Sequence, residues 1–96
     1  MKLDFTKNDG ILNVTLEGRL DTTTAPKFDD FLTQNLMCVN TLIIDCKNLE
    51  YISSAGLRVL LTAHKKMKGG LKLLNVQELV MEVFEITGFA DILVIE

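Results

Sequence analysis

Apolar and polar residues alternate along two short runs at the start of the chain, which is the pattern of half-buried β-strands. The apolar positions of these runs are Leu3, Phe5, Leu12, Val14 and Leu16. Asp9-Gly10 lies between the runs, and an Asp-Gly pair is a frequent two-residue turn in β-hairpins. Residues Met1 to Glu17 are therefore predicted to form an antiparallel hairpin with one apolar face.

Helical spacing replaces the alternation in the next segment. A first helix is predicted from about Thr24 to Leu36, with Pro26 in its first turn, where the N–H that proline lacks would be unpaired anyway. Its apolar stripe consists of Ala25, Phe28, Leu32 and Leu36.

Two further helices are predicted from the same spacing. One begins with Ser54 as its N-cap and ends at Gly69-Gly70, and the other spans Glu78 to Thr87 and ends at Gly88. The stripe of the first is Leu57, Leu60, Leu61, His64 and Met67. The buried face predicted for the second is Leu79, Val80, Val83 and Phe84.

Short apolar runs between the helices predict the remaining strands, at Thr41 to Asp45, Leu71 to Leu74 and Ile92 to Ile95. Lys47 to Ser53 is interpreted as a loop. The resulting order is β-β-α-β-α-β-α-β, so we expect one α/β domain over residues 1–96. Because helices connect successive strands, the sheet should be mixed and mainly parallel, with the N-terminal hairpin adding an antiparallel strand.

Charge narrows the class of partner. Ten Lys and Arg against thirteen Asp and Glu give a net charge of −3, whereas nucleic-acid binding and electrostatic membrane anchoring both need a basic face. No apolar run approaches the roughly 18 residues of a membrane span, and the first residues lack the apolar core of a secretory signal. The expected setting is the cytoplasm, with proteins or small ligands as partners and neither nucleic acid nor membrane among them.

Most enzymatic chemistry is excluded by residue positions. Ser54 and His64 are predicted on one helix, ten residues and about 15 Å apart, too far for a nucleophile and its base. No glycine-rich phosphate loop follows a strand. Cys38 and Cys46 lack metal-ligand spacing and are expected to be reduced, half-buried thiols. We therefore predict a protein that is not an enzyme and has no cofactor or metal.

Two loops remain as candidates for function. Each follows a predicted strand that leads into a helix, so both should open at the same end of the sheet, where α/β proteins bind ligands. One is Asp21 to Thr24, and the other lies within Leu49 to Leu61, where Ser53-Ser54 precedes Ala55-Gly56. The hydroxyls also suit simple helix capping, and Gly56 in a first helical turn indicates a need for close packing or access.

The second of these segments resembles the D-S-[ST]-G-L signature of STAS domains, the family of bacterial anti-sigma-factor antagonists. Gly18 to Asp21 is similar to the family's G-[ED]-[LI]-D motif, and Leu42 to Asp45 with Leu49 is similar to its central strand and following loop. Gly69-Gly70-Leu71 resembles its G-G-x stop, and Phe84 to Phe89 its L-F-x-x-[ST]-G-[LF] motif. The resemblance thus extends over nearly the whole chain.

This resemblance implies a function and a site. A family antagonist binds an anti-sigma factor that is also a serine kinase, is phosphorylated by it on the serine two positions before the signature glycine, and is restored by a phosphatase. That serine is Ser54 here. The partner-binding residues implied by the resemblance and by the two loops are Asp21, Thr22, Thr23, Ser53, Ala55, Gly56 and Arg58. The chain departs from the signature at Ser53, where the family has aspartate, and at Ala55, where it has a second hydroxyl.

Two other functions stay open at this stage. In one case the chain is a STAS domain of another assembly, such as a lipid-transport or stress-sensor complex, and Ser54 is only a helix cap. In the other case it is a nucleotide- or small-ligand-binding module that uses the same two loops.

Overall fold

Five β-strands form one sheet in the order in which they occur along the chain. The computed structural model describes all residues from 1 to 96. The strands are β1 (Lys2–Asn8), β2 (Ile11–Leu20), β3 (Thr41–Ile52), β4 (Leu71–Leu74) and β5 (Val94–Ile95). β1 and β2 are antiparallel, and all other neighbours are parallel. The predicted mixed, mainly parallel sheet is therefore confirmed.

The β1–β2 turn is the predicted one. Asp9 and Gly10 both have positive φ, at 51° and 77°, and Asn8 pairs with Ile11 across them. Two successive positive φ angles suit the right-handed twist of the flanking strands, and Gly and Asp tolerate them better than most residues. The turn fixes the register of β1 on β2, but only β2 places buried side chains in the core: on β1 Leu3 is partly buried, and Phe5, predicted on the apolar face, is 50% exposed.

Three α-helices pack with the sheet around one continuous hydrophobic core. The helices are α1 (Ala25–Asn35), α2 (Ser54–Met67) and α3 (Glu78–Thr87), and a short 3-10 helix follows at Phe89–Asp91. On β2 the residues Leu12, Val14 and Leu16 are buried in this core, while Asn13 on the opposite face is exposed. The alternation in the sequence thus corresponds to a covered and an uncovered face of the sheet.

β3 is much longer than predicted, and the loop expected at Lys47–Ser53 is wrong. The strand continues to Ile52, and its second half pairs with residues 17–20 of β2 after shifts in register. Those bulges, together with the exposed polar residues at 47, 48 and 50, obscure the strand alternation. The extension carries the chain to the end of β2, which decides where α2 begins.

The buried faces of α2 and α3 also differ from the predicted ones. On α2, Gly56, Val59 and Ala63 are buried, whereas Leu61 and His64 are only half-buried. On α3, Val80 and Phe84 are buried, whereas Leu79 is 67% exposed. Successive helical residues are about 100° apart, so a small rotation of the helix exposes one of two adjacent apolar positions.

The two cysteines have different surroundings, so the expectation that both are half-buried is wrong. Cys46 is buried on β3, and Cys38 is exposed after α1. Burial raises the pKa of the Cys46 thiol to about 12, with a further contribution from the charge of Asp45. At the end of the chain, the predicted strand Ile92 to Ile95 is shorter than expected, because the exposed Ile92 and the buried Leu93 both precede β5.

Candidate functional site

The loops that follow β2 and β3 emerge side by side, as the sequence predicts. Leu20 and Ile52, the last residues of the two strands, are paired in the parallel register. The Ser53 N–H donates a hydrogen bond to the Leu20 carbonyl at 2.9 Å. Residues 21–24 and 53–58 therefore share one end of the sheet, and we call them together the two-loop surface.

Gly56 explains how α2 comes so close to the end of the sheet. A Cβ atom on Gly56 would lie 2.8 Å from both the side chain and the carbonyl oxygen of Leu20, and 2.9 Å from the side chain of Ile52. Such distances are well inside van der Waals contact, so only glycine fits without displacing its neighbours. Gly56 is buried. It allows α2 to pack closely against the end of the sheet and offers no side chain to a partner.

The Asp21 carboxylate organises the first loop. Its Oδ1 atom accepts hydrogen bonds from the Thr23 hydroxyl at 2.8 Å and from the backbone N–H groups of Thr23 and Thr24 at 3.0 and 3.2 Å. These bonds, that of the Thr23 hydroxyl above all, lower the pKa of Asp21 from 3.8 to about 2. Asp21 is therefore a fixed negative charge at this surface over the whole physiological pH range.

Thr24 closes the same loop from the other side. Its hydroxyl accepts a hydrogen bond from the Asp21 N–H and donates one to the Arg19 carbonyl, both at 2.8 Å. Thr24 occupies the N-cap position of α1, but its side chain does not cap the helix. The hydroxyls expected to cap α1 instead stabilise the loop itself.

The start of α2 has no comparable hydrogen bonds. Ser53 is the N-cap residue, so the prediction that Ser54 caps the helix is wrong, and the Ser53 side chain makes no capping bond either. The Ser53 hydroxyl is buried without a partner. Ser54 is the first residue of the helix and is exposed. Its hydroxyl is thus free of any capping role.

Ser54 borders a cleft of about 300 Å³ between the start of α2 and the end of α3. The other residues that line it are Leu57, Arg58, Leu61, Thr87 and Phe89. A second depression, a groove of about 400 Å³, runs between α1 and α2. It is lined by Thr22, Ala25, Pro26, Asp29, Ala55, Arg58, Val59 and Thr62. The two-loop surface therefore has a hollow on each side of Arg58.

Sequence reasoning missed four residues of the groove that lie further along the helices: the exposed Pro26 and Thr62, the half-buried Asp29 and the buried Val59. Pro26 and Asp29 follow Thr22 along α1, and Val59 and Thr62 follow Ala55 along α2. Within the helices, Pro26 and Asp29 on α1 and Ala55, Val59 and Thr62 on α2 repeat at three- or four-residue intervals, which places each set on one helical face, and Thr22 lies in the turn just before α1. Extending the predicted loop residues by these intervals would have found the groove.

Comparison with known proteins decides the family. The STAS domain family matches residues 2–96. A Bordetella bronchiseptica protein named as an anti-sigma factor antagonist, BtrV, is 38% identical, with 96% of this chain and 83% of the relative covered. The anti-sigma-B factor antagonist of Bacillus subtilis is 32% identical, with 97% and 88% covered. The chain belongs to the STAS domain family.

A solved structure with low sequence identity has the same fold. The phosphorylated form of the Bacillus cell fate determinant SpoIIAA superposes with a TM-score of 0.76 over 99% of this chain and 91% of its own, at 18% identity.

No helix of this STAS domain has the length and apolar character needed to span a membrane. No group of three or more His, Cys, Asp or Glu side chains is placed to hold a metal ion.

The residues predicted for the site of this STAS domain differ in how they meet solvent. Four of them are exposed: Thr22, Thr23, Ser54 and Arg58. Three are half-buried, namely Asp21, Ser53 and Ala55, and only Gly56 is buried. A partner that approached the end of the sheet would thus meet threonine hydroxyls, the Asp21 charge, the Ser54 hydroxyl and the Arg58 guanidinium.

Proposed function

We propose that this STAS domain is an anti-sigma-factor antagonist that binds a serine-kinase anti-sigma factor through the two-loop surface. Phosphorylation of Ser54 by that kinase ends the interaction, and a phosphatase restores it. The protein acts in the cytoplasm as a regulatory binding module and catalyses no reaction itself. The observation that carries the proposal is the exposed Ser54 at the start of α2, beside the fixed loop of Asp21.

The position of Ser54 suits a reversible modification. The kinase transfers the γ-phosphoryl group of ATP to the Ser54 oxygen, the hydroxyl proton leaves to a base of the kinase, and ADP is released. The product carries a charge of about −1.5 to −2 at the N-terminus of α2. Helix N-termini favour negative charge, and no side chain caps this one, so the fold should tolerate the phosphate.

The departures from the family signature are compatible with a single acceptor. Ala55 carries no hydroxyl, and the Ser53 hydroxyl is buried. Ser54 is therefore the accessible hydroxyl in the first turn of α2. The names of the relatives support the same function, since both are named as anti-sigma factor antagonists and SpoIIAA has a phosphorylated form.

Electrostatics explains how one phosphate ends binding. The Asp21 carboxylate on the neighbouring loop is ionised at neutral pH and paired only with the exposed Arg19 at 3.7 Å, and the chain as a whole carries −3. A dianion added to this surface repels an acidic partner face and has to lose its hydration if the interface covers it. Covering this charge with a partner face that offers it no counter-charge costs several kcal/mol, which corresponds to roughly a hundredfold loss of affinity or more. The switch then acts on the interface and leaves the fold in place.

The direct test uses the serine-kinase anti-sigma factor encoded nearest to this protein in its own genome. The kinase and ATP are incubated with the parent protein, with Ser54→Ala and with Ser53→Ala as the adjacent-hydroxyl control, and intact masses are compared. We expect one phosphate on the parent and on Ser53→Ala, and none on Ser54→Ala. A parent without phosphate, or equal phosphate on Ser54→Ala, contradicts the proposal and favours a STAS domain of another assembly.

A further inference from the structure

Arg58 occupies a distinctive place on the two-loop surface, because it borders both hollows. It lines the cleft together with Ser54, and it lines the groove together with Asp29 of α1. Its side chain is exposed and lies four residues after Ser54 on α2. Residues four apart on a helix are neighbours on one face, with Cβ atoms about 5–6 Å apart.

The guanidinium of Arg58 is not committed to any carboxylate. The two ion pairs of the chain join Arg19 to Asp21 and Lys72 to Glu96. Asp29 shares the groove with Arg58, but no ion pair forms between them within 4 Å. Arg58 is thus a free cation at the centre of the proposed binding surface.

The cleft beside Ser54 suits an anion electrostatically. The residues that line it include no carboxylate. The Thr87 hydroxyl, the other polar group there, donates to the Val83 carbonyl at 2.7 Å and is already used. Arg58 is therefore the charged donor that a group attached to Ser54 would meet in this cleft.

We propose that Arg58 pairs with the phosphate on Ser54 and thereby withdraws from the groove between α1 and α2. This inference rests on the proposed phosphorylation of Ser54. Arginine presents a planar fork of N–H donors that matches phosphate oxygens, and an anion placed four residues before a cation is the favourable order on a helix. Phosphorylation then changes the surface twice, because it adds negative charge and removes the free cation from the groove.

The test places phosphoserine at position 54 during translation, so that no kinase is needed. The pKa for the second ionisation of the phosphoserine, ordinarily about 6, is followed by phosphorus NMR. Arg58→Gln should raise this pKa by about 0.15 to 0.4 pH units, since the pairing favours the dianion. Lys66→Gln removes the same charge from the far end of α2 and should leave the pKa unchanged. Equal values in the parent and in Arg58→Gln overturn the proposal.

A second readout observes the guanidinium itself. The chain has two arginines, so the Nε–H signals of Arg58 and Arg19 are easily told apart by substitution. Phosphoserine at position 54 should shift the Arg58 signal and move the Arg19 signal much less. An unshifted Arg58 signal contradicts the pairing. Because phosphoserine is introduced during translation, this experiment does not depend on the kinase. Failure of the kinase reaction and failure of the Arg58 pairing are therefore distinguished.

Discussion

The two helix starts at the end of the sheet make a useful comparison, because they are similar in composition and opposite in bonding. Before α1, Asp21 and Thr24 use their side chains to hold the loop, and the Asp21 Oδ1 atom alone accepts four hydrogen bonds. Before α2, neither Ser53 nor any other side chain caps the helix, and Ser54 is exposed. One loop is fixed by its polar groups, whereas the other leaves a polar group available.

This difference indicates a division of roles. A surface that recognises a partner needs a fixed shape, and the bonded loop of Asp21 supplies it. A modification site needs an accessible group whose change does not unfold the helix, and the uncapped start of α2 supplies that. The pairing of Leu20 with Ile52 keeps the fixed loop adjacent to Ser54, the proposed acceptor.

A charge at Ser54 should have the largest effect on binding. Ser54→Asp places a carboxylate where the phosphate would be, and we expect roughly a hundredfold loss of affinity for the anti-sigma factor. Isothermal titration calorimetry measures the loss, with Ser54→Ala as the neutral control that keeps binding. The melting temperature should not fall, because helix N-termini favour acidic residues. A mimic that unfolds the chain would mean that Ser54 is structural.

A Cβ atom at Gly56 tests the contact that holds the two loops together. In Gly56→Ala the new atom would lie 2.8 Å from the Leu20 carbonyl, which cannot retreat easily because it also accepts the Ser53 N–H. We expect a destabilisation of about 1–3 kcal/mol, reduced in part by the better helix propensity of alanine. Urea unfolding measures it, and Thr62→Ala, on the exposed side of α2, should stay within about 0.5 kcal/mol of the parent. A Gly56→Ala protein as stable as the parent would contradict the packing argument.

Acid should weaken the fixed loop selectively. The pKa of Asp21 is about 2 in the folded protein against an ordinary value of 3.8, so the folded state binds this proton more weakly. The stabilisation of the folded state by the ionised Asp21 carboxylate is complete above pH 3.8 and is lost as the pH falls toward 2. The stability difference between the parent and Asp21→Asn should therefore shrink as unfolding is measured from neutral pH down to about 2. Asp30→Asn, on the exposed side of α1, is the control, and a difference independent of pH would refute the role of Asp21.

The sequence predicts the strand and helix order and the shared end of the two loops well, because periodicity and turn residues are local signals. The hairpin turn at Asp9-Gly10 is an example. The sequence predicts the second half of β3 poorly. The strand there is specified by pairing with residues of β2 that are distant in sequence, and bulges shift the register of that pairing. A run of polar residues that is a strand only through its neighbours has no local signature.

The bonding at the two loops shows the same limit at the level of side chains. Serine and threonine before a helix are commonly read as caps, since they often are. Here the Thr24 hydroxyl makes hydrogen bonds with Asp21 and Arg19, whereas the Ser53 hydroxyl has no hydrogen-bond partner within the protein. Rotamers and tertiary contacts decide between these outcomes, so the sequence identifies the polar residues of the site but not which of them is free.

The smallest expected effect distinguishes the two helix starts most directly. Ser53→Ala removes a buried hydroxyl that has no partner, so we expect stability within about 0.5 kcal/mol of the parent or slightly above it. Thr24→Val is the matched comparison, because it removes a hydroxyl with three hydrogen bonds and leaves the Asp21 N–H without its acceptor, at a cost of about 1–3 kcal/mol. Urea unfolding of both variants measures the contrast. Equal losses would mean that Ser53 contributes a hydrogen bond after all, and the start of α2 would then be as tightly bonded as that of α1.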